Sequence, residues 1–111
     1  MKLSERRREV AKVFEKVDVL VAPTIKYAPH TIKYWQDRDE LDKPFPPLIW
    51  NTWLFNIFGL PAISVPCGFT STGLPVGVMI AGAPFAESNV LALGHAFEQA
   101  TKWHLQKPKL V

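Results

Sequence analysis

The sequence predicts an α/β arrangement, a short mixed sheet of about three strands with flanking helices, spanning residues 1–111 as a single partial domain. Three observations lead there. An amphipathic segment near the N-terminus runs straight into a short apolar strand. A stretch from Pro44 to Ala86 carries no Lys, Arg, Asp, Glu or His and holds two more strands rich in Val and Ile. A second amphipathic segment then closes the chain. At 111 residues there is room for one domain and a modest core.

Leu3 to Val17 has helical spacing. Leu3, Val10, Val13, Phe14 and Val17 fall on one face, while Arg6, Arg7, Glu9, Lys12 and Glu15 mostly face away. Acidic residues interleave the arginines, as on a solvated helix face. Asp18 to Pro23 follows as a buried strand with β-branched residues, ended by proline. Residues 25–47 have weak periodicity, four prolines and an acidic-basic cluster, and are expected to form a long exposed loop. Leu48 to Phe58 reads as a short helix with apolar residues on most of its circumference, so burial nearly all round is expected, with Gly59 as its C-cap. Ala62–Gly68 and Val76–Ala81 read as strands joined by a turn-rich linker, hence a hairpin, and both are apolar on both faces, as in the interior of a covered sheet. Glu87 to Thr101 is the last helix. Val90, Leu93, Phe97 and Ala100 form its stripe, Gly94 allows close approach to a sheet, and Ser88 is a cap candidate.

Composition removes several function classes. Apolar residues make up 48% and charged residues 21%, which is ordinary for a globular protein. The net charge of +3 is spread over both ends and mixed with acids, so no nucleic-acid surface is expected. Prolines and glycines break the charge-free run too often for a membrane span. The single cysteine, Cys67, reads as structural and fits a reducing compartment, so a cytoplasmic location is expected. His95 and His104 are nine positions apart, a spacing that helical geometry puts on roughly opposite sides, and no glycine pattern cradles a phosphate. Neither a metal nor a cofactor is expected. Ser64, flanked by Ile63 and Val65, lacks the glycines of a nucleophile elbow.

The run Asn56-Ile-Phe-Gly-Leu-Pro-Ala-Ile-Ser-Val-Pro-Cys-Gly-Phe69 closely resembles the end of amidase-signature enzymes. So do Gly73-Leu-Pro-Val-Gly-Val-Met-Ile-Ala-Gly82, Pro84-Phe85, Glu87, Ala96–Thr101 and Trp103-His104. Val17–Thr24 is similar to the family's preceding strand. Several blocks in the right order cover nearly the whole chain.

The resemblance implies hydrolysis of a C–N amide bond by a serine nucleophile, a second serine bridging through a cis peptide, and a lysine held neutral by burial. That group lies in the family's earlier segment. No Gly-Gly-Ser-Ser-Gly-Gly-Ser-like run occurs here, so no catalytic residue is assigned and the chain is expected to be inactive alone. The helix around Trp50, Trp53 and Asn56 is the candidate wall of the acyl pocket. The A subunits of tRNA-dependent amidotransferases tend to carry an acid shortly before the equivalent of Thr52, and Ile49 and Trp50 stand there instead. An amidase for apolar or aromatic amides is therefore the favoured parent; the alternative is part of an amidotransferase A subunit. The expected partner is a missing N-terminal catalytic segment. A stand-alone oligomer that covers its apolar core by self-association is the other reading.

Overall fold

The computed structural model describes residues 2–37 and 49–109. In chain order it contains α1 (Leu3–Ala11), β1 (Val19–Pro23), α2 (Ile32–Gln36), α3 (Trp50–Phe58), β2 (Ala62–Phe69), β3 (Pro75–Gly82) and α4 (Glu87–Ala100). The α/β class and the three expected strands are present. The sheet order is β1-β3-β2, and both ladders are antiparallel, with Val19 opposite Gly82 and Ile63 opposite Ile80.

The helix expected over 3–17 is continuous only to Ala11 and tightens into a 3₁₀ turn at Lys12–Glu15. Its start is fixed by Glu5, whose carboxylate accepts from the Lys2 N–H at 3.0 Å. The described part of the long loop contains the single turn of α2. It is capped by Thr31, whose hydroxyl accepts from the Tyr34 N–H at 3.2 Å. Residues 38–47 of that loop lie outside the described residues.

The hairpin forms as expected. Gly73 N–H donates to Thr70 O at 3.0 Å, Thr70 N–H donates to Leu74 O at 2.8 Å, and Gly73 takes a left-handed φ of 84°. A tight turn followed by a left-handed glycine suits the twist of the flanking strands. Gly59 caps α3 as predicted, with φ 67°. Its N–H donates to Asn56 O and the Leu60 N–H to Phe55 O, at 3.1 and 3.0 Å. Two such bonds satisfy carbonyls that the helix end would leave orphaned.

Packing departs from the sequence reading in consistent ways. The core is small: Val65, Ile80 and Val90 form its centre, with Val19, Ile63, Val78 and Phe97 against it. The helix α4 lies on β2 and β3. There Gly94 is buried, and a Cβ on it would fall 2.4 Å from Ile63 Cδ1, so the close approach is real. Its buried stripe is Val90 and Gly94 with half-buried Phe97, whereas Leu93 and Ala100 are exposed. The cap residue is Ala86 without a side-chain bond, so Ser88 does not cap it. Only β3 has the burial expected of both strands, over Met79–Gly82; β2 alternates, with Ala62, Ser64 and Pro66 exposed. On α1, Leu3 is exposed, as are Val13 and Val17 after it, and α3 has no fully buried residue. Apolar periodicity marks which face wants cover, but burial needs atoms on the other side. The molecule is a slab only 19 Å thick, and its radius of gyration, 16.3 Å, exceeds the roughly 13 Å of a compact domain of this size.

Candidate functional site

The three candidate residues sit on α3, which is pinned at both ends. Asn51 Nδ2 donates to Pro23 O at 2.8 Å, tying the first turn to the end of β1. Arg7 Nε donates to Ile57 O at 2.8 Å, tying the last turn to α1. A helix held this way presents its side chains at fixed positions. Trp50, Trp53 and Asn56 follow each other at intervals of three and so span roughly 120° of the helix surface. Trp50 is 54% exposed, Trp53 is half-buried and Asn56 is exposed.

Lys26 enters the site, which the sequence reading missed. Its ammonium lies 5.1 Å from the centre of the Trp50 ring and 5.4 Å from that of Tyr27. Attraction between a cation and an aromatic face holds such contacts. Nearby in the loop, His30 stacks on Tyr34 at 3.9 Å, and Trp35 meets both rings edge-on. The surface around Trp50 thus sets two aromatic rings beside a positive charge.

A second polar feature, also missed, lies on the sheet face away from α4. Thr24 Oγ1 and Ser64 Oγ are 2.5 Å apart, bridging strands at the two edges of the sheet. Between them, Gly77 on β3 leaves the room: a Cβ there would fall 2.7 Å from Ser64 Oγ and 3.0 Å from Thr24 Oγ1. These residues are far apart in sequence, and only the strand register brings them together. A serine becomes a nucleophile when a base takes its proton. Among the described residues no lysine or histidine nitrogen bonds either hydroxyl, and every described lysine is exposed.

Cys67 is a free, half-buried thiol on β2. No cluster of three metal-ligating side chains occurs among the described residues, and no described helix is long and apolar enough to cross a membrane.

The Amidase family model matches residues 1–91. The chain is 41% identical over 106 residues to the A subunit of a glutamyl-tRNA(Gln) amidotransferase from Thermodesulfovibrio yellowstonii, covering 94% of this chain and 21% of that protein. It is 42% identical over 105 residues to the same subunit of Dehalococcoides mccartyi, covering 93% and 20%. The chain therefore spans about a fifth of the curated relatives it matches. In structure it is similar to a 6-aminohexanoate cyclic dimer hydrolase, with a TM-score of 0.82 and 27% identity over 96% of this chain and 24% of that one. It is also similar to the glutamyl-tRNA(Gln) amidotransferase A subunit of Thermotoga maritima, with a TM-score of 0.72 and 31% identity, covering 94% and 23%. A bacterial aryl acylamidase gives 0.69 and 29%, covering 93% and 22%.

Proposed function

Because this chain belongs to the Amidase family, we propose that it is the C-terminal, sheet-forming part of an amide hydrolase and that bond cleavage needs residues outside it. One observation carries the reading. The fold matches solved amidases over more than nine-tenths of this chain yet reaches less than a quarter of each of them. Chemistry agrees, since the hydroxyl pair of Thr24 and Ser64 has no base among the described residues and the described lysines are all in solvent. In this reading the role of the chain is structural. It supplies three strands, the helix that covers one of their faces, and one wall of the acyl pocket.

That wall is formed by Trp50, Trp53 and Asn56. Its character favours a neutral, apolar or aromatic acyl group over an amino-acid amide. An ammonium group brought against it would meet the Lys26 charge over Trp50 and find Ile49 where an acid would help, and an unpaired charge at such a surface is unfavourable. The 41–42% identity to amidotransferase A subunits supports the second reading, in which the parent is one of these. The two are told apart by whether the complete enzyme prefers glutamine or a neutral aryl amide.

The test of the central proposal is direct. The purified chain is incubated with aryl amides and with glutamine, and released amine or ammonia is followed for hours. No turnover above a matched blank is expected. Turnover that stays with the chain through successive purification steps would overturn the proposal.

A further inference from the structure

Phe85 is placed at a cost to this chain. The ring is 94% exposed, and the residue is non-glycine with a left-handed φ of 63°. A large apolar side chain gains nothing from water, and a left-handed backbone strains any residue with a Cβ. The loop around it is nonetheless well held. Gly82 N–H donates to Pro61 O at 2.9 Å before the loop, and Ala86 N–H donates to Ala83 O at 3.0 Å across it. Phe85 is therefore held outward by a braced turn.

Beside it is a cleft of about 350 Å³ lined by Phe58, Gly59, Pro84, Arg7 and Arg8. The bond from Arg7 Nε to Ile57 O fixes that guanidinium over the helix end. The ion pair found among the described residues joins Lys33 to Asp37, and neither Arg7 nor Arg8 meets a carboxylate there. An aromatic anchor beside two arginines is the composition of an interface hot spot.

We propose that Phe85, with Arg7 and Arg8 at its rim, is the docking anchor for the catalytic portion of an amidase. That portion receives the ring in an apolar socket bordered by a carboxylate. The inference rests on the reading given under Proposed function. The occupant follows from size and charge. The match leaves about three-quarters of the Thermotoga protein to be packed against a segment like this one. A second copy of this chain would bring a surface of net positive charge against its like, whereas an acidic socket pairs with the arginines.

The experiment compares Phe85→Gly in two settings. In the isolated chain, glycine relieves the left-handed strain and removes no packed ring, so the urea midpoint should rise or stay constant. A lowered midpoint would overturn the inference, because the ring would then be packed within this chain. In the second setting the chain is joined to the preceding part of the Thermotoga protein, in place of the segment on which it superposes. There Phe85→Gly should lower the melting temperature by about 5 °C, and Arg8→Glu should lower it too. A joined protein that folds and is indifferent to both changes overturns the anchor and leaves the proposed function standing. A joined protein that fails to fold or hydrolyse with Phe85 intact overturns the proposed function and the anchor with it. Self-association of the isolated chain that Phe85→Gly abolishes would make the occupant a second copy, which also refutes the proposal.

Discussion

Replacing Gly77 with alanine tests the sheet where three strands converge on one point. The new methyl group would sit 2.7 Å from Ser64 Oγ and 3.0 Å from Thr24 Oγ1, both inside van der Waals range. Overpacking of this kind costs about 1–3 kcal/mol. Pushing the hydroxyls apart also weakens their 2.5 Å bond, a net contribution of about 0.5–1.5 kcal/mol. Alanine recovers about 0.5–1 kcal/mol through its smaller loss of backbone freedom on folding. The balance is a loss of about 2 kcal/mol, which moves a urea midpoint by about 1–2 M at a slope of about 1–2 kcal/mol/M. Ser64→Ala removes the nearer obstacle, so Gly77→Ala made in that background should cost under about 1 kcal/mol. The double-mutant cycle then shows a coupling of about 1–2 kcal/mol, well above the roughly 0.3–0.5 kcal/mol scatter of independent sites. Equal costs in the two backgrounds, or a neutral single mutant, would refute the steric argument.

Gly59→Ala should destabilise the chain by about 1–2 kcal/mol through the backbone alone. Its Cβ would meet Arg7 only at an ordinary 3.8 Å, and Gly59→Asn should cost less, both read from denaturant midpoints. In the joined, catalytically complete protein, Lys26→Glu should raise the kcat/KM ratio of an ammonium-bearing amide over a neutral aryl amide by about tenfold, an effect that salt reduces. An unchanged ratio would remove Lys26 and Trp50 from the pocket wall.

Local chemistry was legible in the sequence, and long-range cover was not. Gly59 declares its cap because a left-handed residue after an apolar helix must nearly always be glycine. The hairpin was visible because Thr70 to Gly73 is turn chemistry between two Val/Ile runs. Gly94 announced a close approach because a glycine on the apolar stripe of α4 lowers helix propensity and is repaid only by contact. The exposure of Trp50, Leu54 and Phe85 was hidden, since periodicity reports what a face would bury against and says nothing of whether the neighbour is there. The contact between Thr24 and Ser64 was also hidden, because a hydroxyl pair across two ladders depends on register, and register is set by the whole sheet. Lys26 was missed for a related reason. A lone lysine in a weakly patterned loop reads as solvent until the fold lays it on Trp50.

The strand order has a kinetic consequence. β2 and β3 are joined by a tight turn, while β1 must find β3 across the entire intervening chain, pairing Val19 with Gly82. Closing a long loop before any contact rewards it is slow, whereas a hairpin closes in microseconds. The hairpin and α4 should therefore assemble first, with β1 docking last onto the free side of β3. Synthesis from the N-terminus delays this further, because β1 leaves the ribosome long before its partner strand exists. Until then Val19 to Pro23 is an apolar strand with both edges open, and it is in that interval that the chain is most prone to pair with the wrong neighbour.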